Sequence, residues 1–171
     1  GAPACAAGLE EVIAMGAKKI LLFGSCGILN RAADDKIIIP VSAVRDEGTS
    51  YHYLEAADEV PADADVIERL EACFERCGHP YVKGKTWTTD AIYRETAEVI
   101  AERKETGCLC VEMECAAAMA VAKFRDIPFA QFLYGADNLD SDSWEPRDLA
   151  EYGLSGAEKY MALAFEGVLA L

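Results

Sequence analysis

Three short segments bring together residue types able to do chemistry on a bound small molecule. Val111-Glu112-Met113-Glu114-Cys115 sets two carboxylates around a methionine, just ahead of an alanine-rich run. A carboxylate accepts paired hydrogen bonds well, so one of the two could hold a vicinal diol such as a ribose 2′,3′ pair. The competing reading is an acid that caps the following helix beside a solvated neighbour. Gly135-Ala136-Asp137-Asn138 follows an apolar stretch. Its Asp can act as general acid toward a leaving group if its surroundings raise its pKa; otherwise it simply opens a turn. Gly24-Ser25-Cys26-Gly27 is either a turn and no more, or a glycine turn with a hydroxyl against which an oxyanion can rest.

These segments need elements to position them. Residues 19–23 form a short apolar run feeding into the first glycine turn, as a buried strand does. Residues 37–39 give a second strand, ended by Pro40, with 41–44 as a possible continuation. Strand composition recurs at 81–88, 108–111 and 129–134, whereas 46–53 is polar and aromatic and reads as a loop. Helical spacing is found at 6–15, 66–77, 95–104, 115–124 and 154–171. Strands alternating with helices predict a single α/β domain over 1–171, with a mixed, mostly parallel sheet flanked by helices on both faces. Ligands of such sheets gather at the carboxyl ends of strands, where all three segments are expected.

Composition excludes several classes. A formal net charge of −14 argues against a nucleic-acid partner, which needs a clustered basic footprint. No apolar run is long enough for a membrane span, and the first residues lack the basic-then-apolar pattern of a secretory signal. The seven cysteines lie mostly among small or apolar residues, without zinc-like spacing, and histidines are limited to His52 and His79. Reduced, buried thiols in a cytoplasmic protein without metal or organic cofactor are the expectation.

Taken together, the segments resemble the nucleoside phosphorylase/nucleosidase family, which includes purine nucleoside phosphorylases and uridine phosphorylases. Residues 111–117 resemble its Val-Glu-Met-Glu-x-Ala-Ala signature, 18–27 its strand and phosphate-side Gly-Ser/Thr-x-Gly turn, and Ala136-Asp137 its Ser-Asp pair. The resemblance spans the chain, although full-length relatives carry a further N-terminal segment, so an N-terminally shortened member is expected. It implies that Glu114 binds the ribose hydroxyls with Met113 packed on the sugar, that Asp137 protonates purine N7, and that Arg147 modulates Asp137. Ser25 and Gly24 would contact phosphate. Ile92, Tyr93, Arg94 and Glu112 would surround the base, with Ile92 standing where relatives stack an aromatic ring. Residues 45–52 resemble a loop near the active site or a subunit contact.

The implied reaction is phosphate-dependent cleavage of a purine nucleoside to free base and ribose 1-phosphate, in a homo-oligomer, with inorganic phosphate as co-substrate and no cofactor. Leu22-Phe23 stands where many phosphorylases carry a phosphate-binding Arg. This leaves open a rearranged phosphate site using Arg45 or Arg94, a hydrolytic nucleosidase, and a nucleoside-binding protein without catalysis.

Overall fold

The structure, a computed structural model, describes residues 1–141, 143–147 and 154–171, and of 154–159 the backbone alone. The chain runs α1 (Ala2–Ala14), β1 (Ile20–Ile28), β2 (Ile37–Asp46), β3 (Glu59–Pro61), α2 (Ala64–Cys77), β4 (Tyr81–Thr89), α3 (Ala97–Glu105), β5 (Cys108–Glu112), α4 (Cys115–Phe124), β6 (Phe129–Asn138) and α5 (Leu154–Ala170), with short 3-10 turns between.

The strand order is β3-β2-β4-β5-β1-β6, and Ile37 and Ile38 of β2 pair back onto Tyr134 and Leu133 of β6. Five strands therefore close on themselves as a partial barrel, with β3 on the free part of the β2 edge. This corrects the expectation of a mostly parallel sheet. Among the described residues β1–β6, β2–β4 and β4–β5 are parallel, whereas β1–β5, β2–β3 and β2–β6 are antiparallel. The expected alternation of strand and helix is present, but β1 inserts between β5 and β6, and no local pattern encodes that neighbour.

Side chains from β1, β2, β5 and β6, namely Cys26, Ile28, Ile38, Cys110 and Leu133, form one buried cluster where the strands close. Outside it, α1 and α4 share a cluster with Ala43, Val60 and Phe129, and α2 and α5 share another with Ile37, Ile39 and Phe132. The α2 helix shows why the sequence folds this way. Asp63 Oδ1 accepts the Asp65 and Val66 amides at its start, and Val66, Leu70, Cys73 and Phe74 bury one face. Gly78 then ends it at φ 68°, a left-handed conformation that costs glycine little. In α4, Cys115 to Ala122 are all buried, because alanines let the helix lie close against the strands.

Two expected turns are strand. Gly24 to Gly27 lie inside β1, and Gly135 to Asn138 inside β6, because each segment continues its ladder with the other. Pro40 likewise does not end β2 but sits at a register shift.

Candidate active site

The β1–β6 ladder contains the irregularity that builds the site. Cys26 pairs with Gly135, but Gly27 pairs with Asp137, leaving Ala136 as an extra residue. Such a bulge re-aims the side chains that follow it. Asp137 consequently shares a face with Gly27 and its other partner Val111, rather than with Cys26. The approach is close. A methyl group on Gly27 would lie 2.5 Å from Leu139, 3.0 Å from Val111 and 3.2 Å from Asp137 Oδ1, so a larger residue must push Leu139 aside and crowds that carboxylate.

These residues line a cavity of about 610 Å³ together with Ser25, Cys26, Ile92, Tyr93, Glu95, Glu112, Met113, Glu114, Ala136 and Trp144. Asp137 is 8% exposed, and its Oδ2 accepts the Trp144 indole N–H at 2.8 Å. Burial raises its carboxyl above the ordinary range, while the Trp144 bond and the positive charge of Arg147 pull it back. Arg147 itself is turned away from the cavity, paired with Asp34 at 3.1 Å and Glu145 at 3.5 Å. Its influence on Asp137 is therefore through space.

The two carboxylates of the 111–115 segment separate by role. Glu112 Oε1 accepts the Thr88 and Thr86 hydroxyls at 2.6 and 3.3 Å. Its Oε2 accepts the Glu114 and Cys115 amides at 2.7 and 2.6 Å, capping α4. Four donors use up the acceptor capacity of a carboxylate. Glu114 is freer, with Oε1 2.7 Å from the Gly1 nitrogen and Oε2 near its neighbour's amide at 3.3 Å. Glu114 is thus the acid with capacity to hold a diol, and Met113 lines the cavity beside it.

The family model described as the phosphorylase superfamily matches residues 1–164. The chain belongs to this superfamily. It is 24% identical over 176 residues to a guanosine phosphorylase of Halorubrum lacusprofundi, covering 100% of this chain and 73% of that protein. A purine nucleoside phosphorylase of Plasmodium falciparum is 29% identical over 133 residues, 74% of this chain and 54% of that protein. The chain thus spans only about half to three quarters of the length of these two relatives. Among solved structures, an AMP nucleosidase of Bacteroides thetaiotaomicron superposes with a TM-score of 0.75 at 22% identity, over 98% of this chain and 66% of that one. That likeness shows a shared fold.

Of the residues singled out in this superfamily member's sequence, Ser25, Ile92, Tyr93, Glu112, Met113, Glu114 and Asp137 meet at the one cavity. Gly24, Arg94 and Arg147 do not line it. Arg45 is buried elsewhere. Its guanidinium donates to Ser50 Oγ and to the Glu55, Leu54 and Ala57 carbonyls, and stacks 3.9 Å over Tyr51. Four of its five N–H donors are engaged on its own loop and it does not line the cavity, so Arg45 does not provide a phosphate contact in this structure. Sequence reasoning passed over Glu95 and Trp144. A tryptophan inside the polar stretch 140–145 was the available signal for the second. No group of three or more His, Cys, Asp or Glu among the described residues is placed to hold a metal ion, and no described helix is long and apolar enough to cross a membrane.

Trp144 acts on Asp137 as a positioning residue. Trp144→Phe removes one hydrogen bond, worth about 1 kcal/mol. We expect a roughly fivefold lower kcat, a nearly unchanged KM, and an upward shift of the Asp137 limb in the pH profile, because a donor that favours the carboxylate is lost. An unmoved limb would show that the contact is only packing.

Proposed function

We propose that the cavity binds a purine nucleoside and that the chain supports phosphate-dependent cleavage of its N-glycosidic bond. The observation that carries this reading is a buried Asp137, held by Trp144, in the same cavity as a Glu114 carboxylate with acceptor capacity to spare. Glu114 accepts the 2′- and 3′-hydroxyls, and Met113 packs on the sugar. As the bond between C1′ and the base nitrogen breaks, its electron pair goes to the base and a proton from Asp137 goes to N7. A phosphate oxygen, near Ser25, then bonds to the oxocarbenium-like C1′ to give ribose 1-phosphate. The names of two relatives, a guanosine phosphorylase and a purine nucleoside phosphorylase, support the purine reading, beside a uridine phosphorylase of Thermococcus kodakarensis that is 35% identical over 94 residues.

A second reading is hydrolysis, with water in place of phosphate. It is favoured by the cavity wall, which among the described residues has four carboxylates (Glu95, Glu112, Glu114 and Asp137) and no Lys, Arg or His. Such a wall repels a dianion. The test is base release from purine nucleosides with and without phosphate, followed by chromatography. Release that requires phosphate is expected. Equal release without it would establish the hydrolase, and binding without release under either condition a nucleoside-binding protein.

A further inference from the structure

Strand β1 has a neighbour along its whole length on one side, and on the other side only at its end. It pairs with β6 from Ile20 to Ile28, but with β5 at Gly27 and Ile28 alone. The Ile20 amide donates to the Pro128 carbonyl, so in this parallel ladder Ile20, Leu22 and Gly24 turn their backbone groups toward β6. Leu21, Phe23 and Ser25 turn theirs the other way, and among the described residues no backbone group answers them. A row of unpaired N–H and C=O groups on an apolar strand is a template for one more strand.

Both faces of this edge are walled by helices. On one face Ile20 and Leu22 pack against the cluster that α1 shares with α4. On the other, Leu21 lies under α5, where a methyl group on Gly167 would come within 2.8 Å of it. The outer sides of α1 and α5 are apolar as well. Val12 of α1 and Met15 at its end are exposed, and so are Met161, Phe165 and Leu169, spaced four apart along one side of α5. From Tyr160 to Leu171 the only charged side chain is Glu166. A surface helix normally turns charge outward, and one that is apolar all round is normally covered.

We propose that two copies of this chain join through the free edge of β1, antiparallel across a two-fold axis at Leu22, so that one sheet runs through both. A second copy fits the edge and both helices in a single operation. Leu21 of one copy exchanges hydrogen bonds with Phe23 of the other, and the reverse, because antiparallel strands present the same row to each other. The same axis lays α1 on α1 and α5 on α5, so the exposed apolar side chains of each helix are covered by their own counterparts. Charge also selects this surface. A chain of net charge −14 repels its copy, but residues 17–28 carry two lysines and no acid. In this register Lys19 of one copy comes beside Ser25 of the other, which lines a cavity whose described charged groups are all carboxylates. The assembly holds whatever that cavity binds.

The experiment is sedimentation velocity of the chain from roughly 1 to 100 μM, with Phe165→Glu beside the wild type. Phe165 is 62% exposed, so the variant is expected to keep the wild-type circular dichroism. We expect the wild type to sediment as a dimer and Phe165→Glu to weaken it by at least about 100-fold, since the axis sets the two new carboxylates against each other in an apolar contact. Hydrogen exchange gives the second reading. The Leu21, Phe23 and Ser25 amides should exchange about tenfold more slowly in the dimer than in Phe165→Glu, whereas those of Leu22 and Gly24, already bonded to β6, should not change. A monomer up to about 100 μM would overturn the proposal, and slow exchange of the three amides in that monomer would show the edge covered from within its own chain. An assembly that Phe165→Glu leaves intact, or in which the three amides still exchange quickly, is built on another surface and overturns it equally.

Discussion

Asp137→Asn is expected to lower kcat for purine nucleoside cleavage by about 10²- to 10⁴-fold, the usual contribution of a positioned general acid. The variant keeps the shape of the side chain, and its amide oxygen can still accept the Trp144 indole N–H. It can also donate a hydrogen bond to N7, but it cannot transfer a proton as the base departs. KM and nucleoside affinity should therefore change little, which separates loss of chemistry from loss of binding. The pH dependence has a definite sign. Burial raises the Asp137 carboxyl, so its acid form persists to higher pH than in an ordinary aspartate. Activity should decline as pH rises through that raised value, and the limb should vanish in Asp137→Asn. Steady-state base release across pH 5 to 9 checks both points. Retention of more than about a tenth of the wild-type kcat would rule out Asp137 as the acid.

Why Asp137 was legible in the sequence and its neighbours were not is a matter of range. The 111–117 segment is local: its residues are consecutive, its alanines force a helix at 115–124, and its two acids must stand at that helix's start. Ser25 and Asp137 are legible because they follow apolar runs that read as strands, although each lies inside its strand and not in the expected turn after it. What was hidden depends on contacts distant along the chain. Ile37 and Ile38 meet Leu133 and Tyr134 across the closure of the sheet, and an alternating pattern reads the same in an open sheet. The three-residue β3 is too short for any periodicity. The bulge at Ala136 that turns Asp137 toward Gly27 is a property of the ladder between two strands, not of either alone. Glu95 looks like any polar residue at a helix start until the fold places it on the wall of the same cavity as Asp137.

The pair Glu112 and Glu114 shows how structure resolves what composition leaves open, and it yields a stability test. Glu112→Gln is nearly isosteric, but two backbone amides face one side of the group, so the glutamine nitrogen must turn to the Thr86 and Thr88 hydroxyls, which then have to accept from it and lose the acceptor they now donate to. We expect a loss of about 1–2 kcal/mol at pH 5.5, read from urea midpoints. Glu112→Ala, which strands the Thr88 and Thr86 hydroxyls and uncaps α4, should cost about 3 kcal/mol. The pH dependence follows from the opposing influences on this group. Burial is the largest and pushes its carboxyl up to about 7, against the pull of its hydrogen bonds. A carboxyl raised in the folded state binds its proton more tightly there than when unfolded. Its stabilising contribution is then complete below the unfolded value near 4.5 and is lost as pH rises through about 7. Above pH 7 the wild type carries a buried charge that the glutamine variant does not, so the deficit of Glu112→Gln should shrink at pH 8. A deficit that instead grows with pH would mean that the four donors outweigh burial, and that Glu112 caps the helix as a permanent carboxylate.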